Sequence, residues 1–188
     1  MKYGGIMNKR ERIEKAFLYG VFICYILFLI KLLFLSRVSL LELFNSQRTL
    51  DRTINIIPFS SITEYLFSNS PTVKRFAFGN VIGNIAIFIP LGVYLSLFKN
   101  NKKIINNLLL IFIVSLFTEI IQGLLGIGSS DIDDIILNCF GGLVGILGYK
   151  CLLFILHNDK KVRFTITILS AIGLPILLYL LFIIRLRF

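Results

Sequence analysis

Glu119 and Gln122 stand three residues apart, late in an apolar run that begins at Leu108. Helical spacing puts both on one face. Asp131, Asp133 and Asp134 follow within a short Gly-rich turn, and Asn138 lies four residues beyond Asp134 inside the next apolar stretch. Upstream, Asn80 and Asn84 form another pair at the same spacing. Carboxylates and side-chain amides in this arrangement can hold a hard cation, which prefers oxygen ligands, or a donor-rich polar ligand. Their setting makes them conspicuous, because a charged side chain at the centre of a spanning helix costs about 2.5–3.5 kcal/mol on insertion scales. Half of the ten acids fall between Glu119 and Asp159. Amides alone also knit membrane helices together. Carboxylates do so poorly unless a cation or a donor-rich ligand answers them.

The elements that carry these residues are membrane spans. The chain is 56% hydrophobic with a mean hydropathy of +0.86, and it has 18 Phe and no Trp. About 20 apolar residues suffice to cross a hydrocarbon core. Five segments qualify: 16–35, 76–98, 104–125, 135–156 and 164–184. The expected fold is all-α, a polytopic integral membrane helical bundle with a long first extracytoplasmic loop over 36–75. Basic residues precede the first span as in a signal peptide, but the apolar run is too long for one, so it is expected to stay as a signal anchor.

Lys and Arg near the span ends set the expected orientation. Lys2, Lys9, Arg10, Arg12, Lys15, Lys99, Lys102, Lys103, Lys160, Lys161 and Arg163 fall on one side, and Arg37, Arg48, Arg52, Lys74, Arg75, Arg185 and Arg187 on the other. The excess places the N-terminus in the cytoplasm and the C-terminus outside, in the cell membrane. Asn80, Asn84, Glu119, Gln122, Asp133, Asp134 and Asn138 then converge on the outer leaflet from three spans.

Gly79 with Gly83, and Gly141 with Gly145, are small-xxx-small pairs that predict close packing of the second and fourth spans. Pro90 predicts a kink and a freed carbonyl near Ile87. In the first loop, Asn55-Ile-Ile-Pro-Phe59 reads as interfacial or re-entrant, followed by a short helix over 60–67 with Ser60 or Ser61 as its N-cap. Arg48 and Arg52 in that loop can reach lipid phosphate or the acids. Carboxylates crowded into a low-dielectric cavity need a partner to stay ionised. Coupling of Arg52 to Asp134 is the first expectation, and a divalent cation the second.

Enzyme motifs are scarce. There is no HExxH, P-loop or GxSxG, and Cys24, Cys139 and Cys151 form no CxxC. The single histidine, His157, falls at the opposite end of the spans from the acids. What remains of catalysis is an acid-only site with Mg²⁺ or Ca²⁺ on Glu119 and Asp133 or Asp134, acting on a lipid-linked substrate.

Taken in order, Asn55-Ile-Ile-Pro-Phe59, Gly79-Asn-Val-Ile-Gly-Asn-Ile-Ala-Ile-Phe-Ile-Pro-Leu-Gly92, Glu119-Ile-Ile-Gln122 and Asp131-Ile-Asp-Asp-Ile-Ile-Leu-Asn138 before Gly141-Gly142 resemble the VanZ-like membrane proteins. The similarity covers about 48–148, within a single transmembrane domain over 1–188. The chain departs from many relatives in having no Arg over 126–130, just ahead of the Asp-rich turn. Arg48, Arg52 or Arg75 would have to substitute. The resemblance implies an association with low-level resistance to teicoplanin-type glycopeptides and carries no assigned reaction. It leads to the expectation of a protein that binds a lipid or wall-precursor head group at the outer leaflet, or modulates how the envelope meets a glycopeptide antibiotic. A small lipid or precursor flippase is the alternative. Expected partners are membrane lipids and a wall precursor or glycopeptide, not nucleic acid; the net charge of +10 reads as anchoring on anionic lipid.

Overall fold

A computed structural model describes residues 8–35, 54–98, 103–127 and 130–183. Among them are helices α1 (Lys9–Ile30), α2 (Ser60–Phe67), α3 (Pro71–Phe98), α4 (Ile104–Leu125), α5 (Ile132–Leu156) and α6 (Asp159–Ile183). Five are long and apolar enough to cross a membrane. The all-α bundle and its five spans therefore stand, with longer starts than hydropathy marks. Three of these earlier starts have a local cause. α3 opens on Pro71, whose missing N–H costs nothing in a first turn. The α5 backbone is capped by Asp131, whose Oδ1 accepts the Asp133 N–H at 2.9 Å. Ahead of α6, the Asn158 side chain accepts the Lys160 N–H at 2.8 Å.

α3 and α5 form the heart of the bundle and run parallel, with Ile85 against Gly141 and Ile89 against Gly145. α4 lies antiparallel to both, so Ile111 meets Gly142 and Asn107 meets Ser96. A side chain added at Gly141 or Gly145 would put its Cβ 2.1 Å from the carbonyl oxygen of Ile85 or Ile89. The matching small residue on α3 is Gly92, whose Cβ would stand 2.1 Å from the Gly142 oxygen. The expected partnership of the second and fourth spans holds, but Gly79 and Gly83 take no part in it. Among the described residues, nothing lies within 4 Å of a Cβ built at either.

α1 and α6 pack on each other at the flank of this trio, and Glu11 meets Lys160 at 2.8 Å where both helices begin. Phe88, Ile111 and Ile146, with Tyr25, Leu29 and Leu91, fill the mid-depth core. Pro90 leaves α3 continuous from Pro71 to Phe98. The Tyr25 hydroxyl donates to the Ile87 carbonyl at 2.6 Å and accepts from the Leu91 backbone N–H. That hydroxyl is inserted across the Ile87–Leu91 rung of the α3 ladder beside the proline, so the carbonyl it satisfies is not the one that Pro90 leaves without its helical donor, which is that of Ala86 four residues back. α1 ends in a π-helical turn, Lys31–Leu35.

The described part of the first loop is ordered against the start of α5. Strand β1 (Ile54–Asn55) pairs in parallel with β2 (Ser130–Asp131). Phe59 then takes φ 66°, and α2 begins at once. The N-cap of α2 is therefore Phe59 rather than Ser60 or Ser61, and its own side chain makes no capping bond.

A polar cavity at one end of the spans

Asp134 is the hub. Its Oδ1 accepts hydrogen bonds from Asn84 Nδ2 at 2.6 Å and Asn80 Nδ2 at 3.1 Å, and Asn84 also donates to Asn80 Oδ1 at 3.2 Å. The i,i+4 pair on α3 therefore works as one clamp on a carboxylate in the first turn of α5, where the helix dipole also favours negative charge. Asp134 is only 6% exposed.

Glu119, Gln122 and Asn138 are still more buried, at 3%, 2% and 1%. Glu119 Oε2 accepts the Asp131 backbone N–H at 2.8 Å, and its carbonyl accepts Ser130 Oγ at 3.1 Å, tying the end of α4 to β2. Gln122 Nε2 donates to the Leu33 carbonyl in the π turn at 2.8 Å. A carbonyl can only accept, so this bond fixes the Gln122 amide with Oε1 on its other side. That Oε1 has no hydrogen-bond partner, and neither has Asn138 Oδ1, whose amide nitrogen donates to Ser115 Oγ at 2.9 Å. Buried polar atoms are almost always paired, so two orphan oxygens on residues that share one site are unusual.

The cavity itself measures about 200 Å³ and is lined by Leu32, Leu33, Gly79, Asn80, Gly83, Asn84, Ile87, Glu119, Gln122, Asp134 and Asn138. Six of the ten sequence-derived site residues line it: Asn80, Asn84, Glu119, Gln122, Asp134 and Asn138. Gly79 and Gly83 are its thin wall, which corrects their reading as packing glycines. A small-xxx-small spacing describes a shallow helix face, and that face can border a void as well as a neighbour.

Asp131 and Asp133 lie elsewhere. Asp133 is 2% exposed, and its carboxylate accepts the Phe59 N–H through Oδ1 and Ser60 Oγ through Oδ2 at 3.2 Å. Asp131 Oδ2 accepts Asn55 Nδ2 at 3.2 Å, and the same amide reaches Ser60 Oγ at 2.5 Å. These two acids latch the Asn55–Ser60 turn to the bundle, so the expected single cluster divides into a latch and a cavity. Asp133 is bonded within the latch and does not line the cavity that Glu119 lines. No three His, Cys, Asp or Glu side chains are grouped as a metal would need among the described residues. Arg48 and Arg52 lie outside the described residues. Arg75 is exposed on the first turns of α3 and lines a groove with Glu64, Phe76, Gly79 and Asn80.

Sequence reasoning missed Ser115, Asn55 and Ser60. Ser115 precedes Glu119 by four residues and Gln122 by seven, a helical stripe that was there to be seen. Asn55 and Ser60 carried no such periodicity, because their role depends on the β1–β2 pairing.

These motifs have a counterpart among known proteins, and it spans most of the chain. The family model described as VanZ/LLP1 matches residues 22–156. The chain belongs to this family. Within it, the protein named Protein VanZ from Enterococcus faecium is 30% identical over 160 residues, covering 85% of this chain and 88% of that protein. No solved structure matches the chain. The cavity lining, the latch and the Gly141–Gly145 seam all fall within the residues that the VanZ family model matches.

Proposed function

We propose that this multi-pass VanZ-family protein binds the polar head group of a lipid or lipid-linked wall precursor in the cavity between α3, α4 and α5. We place the cavity in the outer leaflet, and we infer that occupancy alters how the envelope meets glycopeptide antibiotics. The observation that carries the reading is the cavity wall. The buried side chains of Glu119 and Asp134, together with Gln122 and Asn138, whose amide oxygens have no hydrogen-bond partner, come from two spans and line a cavity of about 200 Å³. Helix glue alone would pair those amides with one another. The volume suits one head group and is too small for a glycopeptide or a whole wall precursor, so the apolar remainder of a ligand would stay in the bilayer. The excess of basic residues on the N-terminal side of the spans supports reading this end as the outer one.

The flippase reading has one observation in its favour. A second cavity of about 340 Å³, lined by Ser96, Asn107, Tyr149 and Lys150 among others, lies toward the other end of the same spans. Phe88, Ile111 and Ile146 fill the depth between the two and are at most 1% exposed. A head group crossing there would have to displace that core, and binding at one end requires no such movement.

The reading is tested by glycopeptide susceptibility in cells expressing matched amounts of protein. Glu119→Gln and Asp134→Asn should abolish protection against teicoplanin while leaving membrane insertion intact, since each removes an intramembrane charge. Full protection by both variants would rule the cavity out as the functional site.

A further inference from the structure

The turn that carries Asn55-Ile-Ile-Pro-Phe59 sorts its side chains the wrong way round for a loop in water. Its polar residues, Asn55 and Ser60, turn inward onto Asp131 and Asp133. Ile54, Ile56 and Ile57 are each 71% exposed and Phe59 is 53% exposed, and no charged residue occurs from Ile54 to Thr63. The backbone is sorted in the same sense. Asn55 Oδ1 accepts the Ile57 N–H at 3.2 Å, Pro58 has no N–H, and the Phe59 N–H goes to Asp133 Oδ1. The Phe59 carbonyl accepts the Thr63 N–H at 2.9 Å and the Thr63 hydroxyl at 2.7 Å. No N–H over Ile57–Phe59 is therefore left for water to satisfy, as irregular backbone close to hydrocarbon requires. At φ 66° Phe59 also holds a left-handed conformation that is rare for a bulky residue, and these bonds grip it from both sides.

We propose that this turn is a lipid anchor, with Ile56, Ile57 and Phe59 seated among the outermost acyl carbons of the leaflet at the cavity end of the spans. Two attachments set its depth. β1 pairs with β2, which directly precedes the spanning helix α5, and Tyr65 of α2 lies against Phe78 of α3 with ring centroids 5.5 Å apart. The turn therefore stands where α5 enters the membrane, at the boundary between head groups and acyl chains where interfacial segments bury their apolar side. In water the same side chains would be held outward against the hydrophobic effect. A protein partner would have to bring a matching apolar face, whereas lipid surrounds every multi-pass chain. The sequence leaves interfacial and re-entrant placements open, and the β1–β2 pairing beside the first turn of α5 selects the first. Neither the occupant of the cavity nor the direction of the bundle bears on this depth.

The chain has no Trp, so a single introduced Trp reports on one position. Ile57→Trp and, separately, Phe59→Trp are made in the full chain and reconstituted into vesicles of phosphatidylcholine and phosphatidylglycerol. Ile172→Trp, on an exposed position midway along α6, serves as the hydrocarbon reference. Emission is read with phosphatidylcholine brominated near the glycerol or near the chain end, and with iodide on both sides of the bilayer. Both turn variants should emit to the blue of free tryptophanamide, resist iodide and be quenched most by the shallow bromines. Ile172→Trp should answer most to the deep ones. Should Ile57→Trp fail to fold, Phe59→Trp keeps the test, because it replaces one exposed aromatic ring by another. Iodide quenching equal to that of free tryptophanamide, with no effect of bromine, would put the turn in water and overturn the proposal. Quenching greatest with the deep bromines would overturn the interfacial depth in favour of a re-entrant segment. Protection from iodide and from both bromolipids would overturn the lipid contact in favour of a protein cover, and loss of that protection on dilution to one chain per vesicle would identify the cover as a second copy.

Discussion

Asp134 and Asp133 are chain neighbours with opposite surroundings. One carboxylate is gripped by the Asn80 and Asn84 amides at the cavity, and the other is bonded to the Phe59 N–H and the Ser60 hydroxyl. Successive residues of a helix point about 100° apart, so adjacency in sequence says little about shared surroundings. Pairs at i,i+3 and i,i+4 do share a face, and for that reason Asn80 with Asn84, Glu119 with Gln122 and Asp134 with Asn138 could be grouped from the sequence, whereas the division among the acids could not. The glycines separate in the same way: a Cβ built at Gly141 or Gly145 would strike a carbonyl oxygen, whereas among the described residues one built at Gly79 or Gly83 meets nothing within 4 Å. Gly141→Ala should therefore sharply reduce folded protein, because the Ile85 backbone has to move. Gly83→Ala should hold or raise stability by up to about 1 kcal/mol through helix propensity. Thermal unfolding of the two variants in detergent checks the contrast, and equal losses would contradict it.

Among the elements, the two helix ends that build the cavity are shaped by irregular backbone that periodicity does not reveal. The π turn Lys31–Leu35 presents the Leu33 carbonyl to Gln122, and the β1–β2 pair positions the turn that Asp131 and Asp133 hold. The Asn55-Ile-Ile-Pro-Phe59 segment was legible as a loop with a special role, but its attachment depends on residues about 75 positions away in sequence. Asp133→Ala should release this latch. Hydrogen exchange over Ile57–Ser60 is expected to quicken markedly while the protection of α3 and α5 is retained; unchanged exchange at Phe59 would show that the carboxylate does not hold the turn. In the core, Tyr25→Phe removes the donor to the Ile87 carbonyl beside Pro90. A buried acceptor left unmatched costs about 1–3 kcal/mol, so unfolding in detergent should shift by that amount, and no shift would mean that the ladder closes without the hydroxyl.

At the scale of the whole molecule, the number of spans and their order were readable because hydrocarbon thickness and backbone hydrogen bonding leave few alternatives to apolar helices. The direction in which the bundle crosses the membrane sets which surface the cavity serves. Reporter fusions at Lys103 and Ser130 should read cytoplasmic and exterior respectively, and the reverse result would put the cavity in the inner leaflet. The central claim, that the space bounded by α3, α4 and α5 holds a lipid head group, is tested most directly by native mass spectrometry. Protein released from mild detergent micelles should carry a retained lipid in the wild type, and Gly83→Leu, equally folded, should carry none. An identical lipid complement on both proteins would contradict the claim.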